Sequence, residues 1–399
     1  MPIGAAAIRS LVQRRLRGIE TGRITFRGAG GEFSVGRSVD DLPDVCVEVT
    51  DARFYREALF GGALGVAESY LAGHWDCDHL VPLLQVALRN RTALDCLNSW
   101  TSRRVGAFAR WAHRWRANTR RGSRRNIAAH YDLGNDFFAE FLDPTMTYSS
   151  GYFATSQMSM EEASIAKYER LANWLDLQEN DRVLEIGGGW GGFAEHVVAT
   201  RGCRVTTTTI SSAQFEYARR WFERAGVAEK IELLKTDYRD LQGSYDKLIS
   251  IEMIEAVGHE YLPQFFDRCR RLLKPGGKAA LQAITIPDER YAAYRKNVDF
   301  IQRYVFPGGC LPSLGAMASA AAQAGGLGWR RYEDLAPHYA LTLAAWHERF
   351  VEREDRIRAL GAPDRLLRIW RYYFAYCEAA FRERAIGLAH ILLEKEGNA

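Results

Sequence analysis

The chain has 399 residues, of which 47% are hydrophobic and 26% charged, and its formal net charge is +4. This length exceeds one ordinary domain and suits two, and the composition is that of a globular chain with a sizeable core. No apolar run approaches the roughly 20 residues of a membrane span, and we find no signal-peptide core. The seven cysteines form no CxxC pair. We therefore expect a cytoplasmic protein with neither a disulfide framework nor a metal site.

The first region, residues 1–98, mixes strand and helix patterns. Glycines and a proline separate short runs of alternating apolar residues, which is typical of strands. The predicted strands are Arg23–Phe26, Glu32–Val35 and Cys46–Val49, and helical patterns follow over Asp51–Ala72 and Leu80–Arg89. We therefore predict a small N-terminal α+β domain.

The second region, residues 99–128, is rich in arginine and tryptophan. Nine arginines fall between Arg103 and Arg125, around an apolar stripe at helical spacing that includes Trp111 and Trp115. Such a helix could lie on an anionic membrane surface, with its rings at the headgroup boundary and its guanidiniums on phosphates. It could equally be a linker helix whose tryptophans contact the next domain. We expect no nucleic-acid partner, because no nucleic-acid-binding motif accompanies the charge.

The third region, residues 129–399, alternates strands and helices. Predicted strands are Arg182–Ile186, Arg204–Ile210, Ile231–Leu234, Tyr245–Ile251, Ala279–Ile286 and, last, Ala385–Leu393, with helices over Trp190–Thr200, Ala213–Ala225 and Tyr261–Leu273. Repeated β-α units indicate a parallel sheet covered on both faces, with the ligand at the carboxyl ends of the strands. The predicted fold class is thus α/β: a Rossmann-like domain with a seven-stranded, mostly parallel sheet.

A glycine turn follows the first of these strands. Gly187, Gly188 and Gly189 lie between Ile186 and a predicted helix, so a ligand can approach the backbone and the free N–H groups of the helix. A dinucleotide site would use the same device. Glu185 could hold a cationic amino group, and Asp237 an adenine amine. The turn at residues 274–277, Lys-Pro-Gly-Gly, is usual in class I methyltransferases and favours a methyl donor.

Longer motifs make the resemblance specific. They are Ala129–Phe138, Asp143–Phe153, Ile251–His259, Phe306–Ser313 and His338–Leu343 with Trp346. With them the chain resembles the cyclopropane-fatty-acyl-phospholipid synthases. Glu68–Tyr70 and Trp75–Asp78 are similar to the additional N-terminal domain of the bacterial phospholipid enzymes. The resemblance therefore covers nearly the whole chain.

The resemblance implies methyl transfer from S-adenosylmethionine to the double bond of an unsaturated phospholipid acyl chain. The implied donor-binding residues are Tyr148, Ser149, Glu185, Gly187, Gly189, Thr209, Gln214, Asp237 and Tyr238. The product of the transfer is a carbocation, which aromatic faces can stabilise. Candidates for this role are Tyr152, Phe153, Tyr304 and Phe306. The acyl chain would lie in an apolar tunnel, and the segment Pro287–Pro312 would help cover it.

In this family a bound bicarbonate ion removes the proton that closes the ring. Carried over, its binding residues are Glu255, Ile284, Tyr339, Ser150 and Gln282. Ser150 stands where the family has cysteine, and Gln282 where it has histidine. Both can still donate hydrogen bonds to an anion, but neither can carry a proton as an imidazole does. The product could therefore be a cyclopropane or a methyl-branched or methylene-bearing chain.

Two other functions are compatible with the same core. A small-molecule N-methyltransferase would share it, although the N-terminal domain and the arginine-rich segment disfavour a soluble amine substrate. A lipid-binding protein without catalysis is disfavoured by the intact donor motif and Glu255. The arginine-rich segment favours peripheral association with the inner face of the membrane, and the resemblance implies a homodimer.

Overall fold

The computed structural model of the protein describes residues 5–28, 30–95 and 133–397. The arginine-rich segment predicted at residues 99–128 lies outside these residues, as do residues 129–132 of the first motif. No helix in the described part of the chain is long and apolar enough to cross a membrane.

The secondary structure follows the β-α alternation expected from the sequence. The strands are β1 Gly22–Gly28, β2 Phe33–Arg37, β3 Val45–Val49, β4 Trp75–Cys77, β5 Arg182–Ile186, β6 Arg204–Thr208, β7 Ile231–Leu234, β8 Tyr245–Ile251, β9 Leu273–Thr285, β10 Leu327–Asp334 and β11 Gly387–Lys395. The α-helices are Ala5–Leu16, Arg53–Leu71, Leu80–Arg89, Arg91–Asp95, Asn135–Ala139, Met160–Leu175, Gly192–Arg201, Ser212–Ala225, Leu262–Leu272, Asp288–Tyr294, Phe300–Tyr304, Leu314–Ala324, Ala336–Glu352, Glu354–Ala359 and Asp364–Arg382. Short 3₁₀ helices cover Ala228–Lys230, Tyr238–Asp240, Ile254–Ala256 and His259–Tyr261.

The chain divides into two compact units, neither of which is continuous in sequence. The first takes its described residues from Met1–Trp115, Lys296–Val305 and Glu354–Ala385; the second takes them from Arg116–Arg295, Phe306–Arg353 and Ile386–Ala399. The domain boundaries predicted at residues 98 and 128 follow chain order and do not include the two later segments of the first unit. The last segment contacts the N-terminal one through the rings of Tyr372 and Tyr70, whose centroids are 5.4 Å apart. The middle segment contacts the last one through Phe300 and Tyr372, with centroids 4.7 Å apart.

The first unit contains a four-stranded sheet in the order β2-β1-β3-β4. β1 is antiparallel to β2 and parallel to β3, and β3 is antiparallel to β4. Val45, Val47 and Val49 point to one buried face because side chains alternate along a strand. Phe54, on helix Arg53–Leu71, covers this face with its ring centroid 6.1 Å from that of Trp75. This unit is the α+β fold that the sequence predicts.

The second unit contains a seven-stranded sheet in the order β10-β11-β9-β8-β5-β6-β7. Strands β9, β8, β5, β6 and β7 are parallel, and β11 is antiparallel to both of its neighbours. Helices cover both faces, and apolar side chains such as Leu184, Leu248 and Ala280 are fully buried between them. The predicted α/β class with a mostly parallel sheet is confirmed.

One strand of this sheet has no clear signal in the sequence. β10 lies at the sheet edge and carries consecutive charged residues, Arg330 and Arg331, so its apolar alternation is weak. In the sheet, β6 and β7 lie on one side of β5, and β8 and β9 lie on its other side, so the direction of the chain connections reverses between β5 and β8. The carboxyl ends of β5 and β8 therefore meet at the switch point, where α/β folds bind ligands.

Candidate active site

The glycine turn after β5 is the first part of the site. Gly187 has a φ of +88°, and the N–H groups of Gly187 and Gly188 both donate to the carbonyl of Thr208, at 3.1 and 2.9 Å. A Cβ on Gly188 would lie 2.7 Å from Oε2 of Glu185 and would also overlap the hydroxyl of Thr207. The close approach of these side chains explains why this position of the turn is glycine.

Glu185 is almost completely buried beneath the turn. Its carboxylate accepts a hydrogen bond from the Thr207 hydroxyl at 2.5 Å. Burial raises the pKa of Glu185 to about 7, and the hydrogen bond from Thr207 and the charge of Lys167 partly oppose that shift. A cationic ligand group at this position would favour the ionised carboxylate. The contact of Glu185 with the amino group of a methyl donor stays a prediction.

Four further predicted donor residues follow β6 and β7. The Thr209 hydroxyl donates to Oε1 of Gln214 at 2.8 Å, and both side chains are buried. Asp237 accepts from Nε and Nη2 of Arg239 at 2.8 and 2.6 Å. This ion pair holds the Asp237 carboxylate next to Tyr238 at the carboxyl edge of the sheet. The contacts of these residues with a donor stay a prediction.

Tyr148 lies in a cluster of aromatic rings. Its ring centroid is 5.2 Å from that of Trp346, 5.4 Å from Phe138 and 6.2 Å from both Phe141 and Phe306. Phe138, Phe141 and Trp346 are fully buried. The cluster is therefore an aromatic core around Tyr148, the residue that directly precedes Ser149 in the chain.

Ser149 is paired with a lysine that the sequence analysis did not single out. Lys167 has no exposed surface, and its Nζ donates to the Ser149 hydroxyl at 2.6 Å. Burial lowers the pKa of Lys167 to about 8, and the negative charges of Glu252, Asp143 and Glu185 oppose that shift. A buried cation thus lies within electrostatic reach of the acidic groups of the site.

Glu252 connects three of the predicted catalytic positions. Its Oε1 accepts from the backbone N–H of Ser150 at 2.9 Å and from Nε2 of Gln282 at 2.7 Å. Its Oε2 accepts from the Tyr339 hydroxyl at 2.6 Å. Burial raises the pKa of the Glu252 carboxyl, and these hydrogen bonds oppose the shift. The structure therefore brings Ser150, Gln282 and Tyr339 together around a carboxylate of the chain itself.

The amide of Gln282 has partners on both sides. Besides Glu252, its Nε2 donates to the carbonyl of Ser150 at 3.2 Å, and its Oε1 lies 2.7 Å from Nε2 of the buried His390. Burial and nearby positive charges lower the pKa of His390 to about 3, so the imidazole is neutral and can donate to the amide oxygen. The hydroxyl of Ser150 donates to the carbonyl of Gly151 at 3.0 Å.

Glu255 and Ile284 lie in direct contact. Oε1 of Glu255 accepts from the backbone N–H of Ile284 at 2.5 Å, whereas Oε2 is buried without a hydrogen-bond partner in the described residues. Burial, and next the charge of Glu252, raise the pKa of Glu255 to about 8. The two predicted residues are therefore adjacent, and a second acidic group lies beside Glu252.

These contacts test whether the five predicted residues fit a bicarbonate ion. Both Gln282 amide donors, the Tyr339 hydroxyl and the Ser150 hydroxyl already donate within the chain. Two acidic side chains, Glu252 and Glu255, occupy the same cluster, and a further anion would be repelled by whichever is ionised. In this arrangement the residues do not fit a bicarbonate ion.

The aromatic residues proposed to face a carbocation divide between the two units. The Tyr152 ring lies 4.7 Å from the His338 ring, and the backbone N–H of Phe153 donates to Nδ1 of His338 at 3.1 Å. Phe306 belongs to the cluster around Tyr148. Tyr304 lies in the first unit, where its hydroxyl donates to Glu68 at 2.8 Å.

The sequence contained partial signals for the side chains that were missed. Lys167 shares the buried face of helix Met160–Leu175 with Ala163 and Leu171, four residues away on either side. A lysine on an apolar helical stripe is a recognisable exception to burial rules. Glu252 lies inside the motif Ile251–His259, but the sequence does not indicate its left-handed backbone, which has a φ of +49°.

Comparison with known proteins gives one family. The family model described as mycolic acid cyclopropane synthetase matches residues 118–391. A tuberculostearic acid methyltransferase of Mycobacterium tuberculosis is 39% identical over 343 residues, covering 84% of this chain and 80% of the relative. A cyclopropane-fatty-acyl-phospholipid synthase of Escherichia coli is 33% identical over 363 residues, covering 90% of each.

A solved structure agrees with these matches. The mycolic acid cyclopropane synthase CmaA1 complexed with SAH and CTAB superposes with a TM-score of 0.64 and 31% identity, over 68% of this chain and 98% of that chain. The cyclopropane synthase MmaA2 from Mycobacterium tuberculosis has the same TM-score at 30% identity and the same coverage of both chains.

Proposed function

Because the chain belongs to the mycolic acid cyclopropane synthetase family and is an S-adenosylmethionine-dependent methyltransferase, we propose that its acceptor is the double bond of an unsaturated phospholipid acyl chain. An isolated alkene is a poor nucleophile, so the enzyme must align it with the sulfonium methyl and exclude water. The glycine turn and Glu185 would hold the donor, and Tyr148 would lie where donor and acyl chain meet.

The aromatic cluster around Tyr148 carries the proposal. Tyr148 and Phe306 are partly exposed and offer an apolar surface, which the fully buried rings of Phe138, Phe141 and Trp346 support from behind. Ser150, two residues after Tyr148, contacts Glu252 through its backbone N–H. Aromatic faces stabilise a nearby cation, and a carboxylate can accept its proton. An amine attacks with its own lone pair and forms no carbocation, so it does not need the aromatic surface.

We propose a cyclopropane fatty acyl chain as the product. The relationship to the synthase of Escherichia coli over 90% of both chains supports ring closure. A methyl-branched or methylene-bearing product is the alternative, which is favoured by the 39% identity with a tuberculostearic acid methyltransferase. The methyl transfer is the same in every case. Ring closure and methylene formation both remove a proton from the new methyl group, the latter after a hydride shift along the chain, whereas a methyl branch forms by loss of a chain proton.

A donor with a fully deuterated methyl group distinguishes these products. The full-length protein is incubated with vesicles of an unsaturated phospholipid, and the lipid is analysed by mass spectrometry and NMR. A ring or a methylene group retains all deuterons but one, and NMR separates the two by their proton shifts. A methyl branch formed by loss of a chain proton retains every deuteron. If the lipid gains no mass, the proposed acceptor is wrong.

We also propose that the protein meets its lipid at an anionic membrane surface, on the cytoplasmic side, through the arginine-rich residues 99–128. Guanidinium groups attract anionic headgroups, and salt screens this attraction over about 10 Å at 0.1 M. Vesicle binding should therefore rise with the anionic lipid fraction and fall with salt. Binding that responds to neither would leave this segment as a linker. The homodimer implied by the family stays a prediction.

A further inference from the structure

The hydrogen bonds around Glu252 resemble those of an anion-binding site that is already filled. The three donors to its carboxylate are the Ser150 backbone N–H, the Gln282 amide and the Tyr339 hydroxyl, at 2.9, 2.7 and 2.6 Å. They come from three of the five positions assigned to a bicarbonate ion on sequence resemblance. Here all three donate to a side chain of the protein.

The backbone holds Glu252 in an unusual conformation at this point. Its φ of +49° lies in the left-handed region, which non-glycine residues rarely adopt. The N–H of Glu252 donates to the carbonyl of Gln282 at 2.8 Å, so the strand that supplies one donor to the carboxylate also fixes its main chain. A strained residue that its surroundings hold in place is typical of a functional position.

The carboxylate keeps some capacity to accept a proton. An ionised carboxylate has about four lone-pair positions, and the three described donors occupy three of them. The buried Lys167 adds a nearby positive charge, which favours the ionised form of Glu252. Burial disfavours the charge of both acids, but the hydrogen bonds to Glu252 oppose that effect, whereas at Glu255 the charge of Glu252 adds to it.

We propose that Glu252 is the base of the methyl-transfer reaction, in the position where relatives would use an exogenous anion. The inference rests on the proposed function, because it assigns the proton-accepting step of that reaction. Ser150, Gln282 and Tyr339 are then positioning residues that orient the carboxylate.

The step balances without an oxidant or a reductant. The alkene electron pair forms the bond to the methyl carbon, and the electrons of the breaking C–S bond stay on sulfur, which becomes a neutral thioether. The positive charge moves to the other alkene carbon. Glu252 takes a proton from the new methyl group, and that C–H electron pair closes the ring on the cationic carbon. Proton loss from a neighbouring chain carbon would instead restore a double bond.

Two substitutions separate the role of Glu252 from that of bicarbonate. Glu252→Gln keeps the side-chain shape but removes the base, and Glu252→Gly empties the position while suiting the left-handed backbone. Glu260→Gln is the matched control, since Glu260 is exposed and lies outside the site. Each full-length protein is assayed on unsaturated phospholipid vesicles in CO₂-free buffer, with and without added bicarbonate. Binding of ¹³C-bicarbonate is followed separately by NMR.

We expect wild type and Glu260→Gln to be equally active with and without bicarbonate. Glu252→Gln should lose about 100-fold or more of the product-forming rate, the contribution typical of a general base. Glu252→Gly should be inactive in CO₂-free buffer, bind ¹³C-bicarbonate, and regain activity when bicarbonate is added, because the three donors then no longer donate to a carboxylate of the chain.

Two results would overturn the inference: wild-type protein that binds bicarbonate and needs it for activity, or Glu252→Gln protein that keeps the wild-type rate. Failure of the proposed function is distinguishable, because wild-type protein would then methylate no lipid. In that case the ¹³C-bicarbonate comparison still decides whether Glu252 fills the anion position.

Discussion

Glu255→Gln should flatten the dependence of stability on pH between about pH 5 and pH 8. Burial and the charge of Glu252 raise the pKa of Glu255 from 4.5 to about 8 in the folded state. In this window the folded protein retains a proton that the unfolded chain has released, so stability falls as pH rises. Below pH 4.5 both states are protonated and the penalty vanishes. Glutamine cannot ionise, so the variant lacks this contribution.

The size of the effect follows from the width of the window. Each pH unit between the two pKa values changes the free energy of unfolding by about 1.4 kcal/mol per group, so wild type should lose about 2–3 kcal/mol more than the variant from pH 5.5 to pH 7.5. The free energy of unfolding of the variant can also differ from that of wild type by an amount that does not depend on pH, because Oε2 of Glu255 is buried without a hydrogen-bond partner in the described residues. A pH-independent offset cancels when slopes are compared.

Urea unfolding at half-unit pH steps measures both slopes. Every other titrating group is common to the two proteins, so the difference between the slopes reports Glu255 and its effect on Glu252. Glu260→Gln serves again as the control and should follow wild type. Parallel curves for wild type and Glu255→Gln would refute the reasoning, since they would mean that Glu255 ionises alike in the folded and unfolded states.

Three further substitutions test other parts of the site. Gly188→Ala should weaken S-adenosylmethionine binding at least tenfold by calorimetry, because its Cβ would overlap the Thr207 hydroxyl. Lys167→Met should lower the free energy of unfolding by about 1–3 kcal/mol in urea, because it removes the donor to the buried Ser149 hydroxyl and a positive charge near Glu252. Tyr339→Phe removes a hydrogen bond to a carboxylate worth about 1.5–3 kcal/mol, so product formation should fall roughly tenfold to a hundredfold with donor affinity unchanged.

Each of these changes has a matched control elsewhere in the chain. Gly61→Ala places a Cβ in open space without a left-handed backbone and should leave donor binding intact. Lys235→Met and Tyr332→Phe alter exposed side chains and should leave stability and product formation near the wild-type values. Normal donor binding by Gly188→Ala, wild-type stability of Lys167→Met, or full activity of Tyr339→Phe would each contradict the corresponding argument.

The sequence predicts the second unit well because its signals are local. Short apolar strands alternate with helical patterns, and most predicted strands agree with the structure within a few residues. β9 begins earlier than predicted, at Leu273, because the Lys-Pro-Gly-Gly segment is included in the strand. β10 lacks apolar alternation, and only its pairing with β11 defines it as a strand.

The donor turn could also be derived from the sequence, because strand, glycines and helix are contiguous in the chain. Glu185 and Gly187 occupy adjacent positions of one motif, so the local backbone brings them together. The sequence did not predict which segments of the chain make up the first unit. Two segments after residue 295 complete its aromatic core, and no local sequence pattern indicates that the chain comes back to this unit.

The arrangement around Glu252 was decided by the tertiary structure alone. Its partner Ser150 lies 102 residues earlier in the chain, and Tyr339 lies 87 residues later. Residue types at such separations show which groups are available, but a hydrogen bond requires donor and acceptor within about 3 Å and in line. The sequence by itself therefore determined the sheet, the donor turn and the family. Only the packing of distant strands and the left-handed backbone of Glu252 decided which side chain receives the hydrogen bonds of the site.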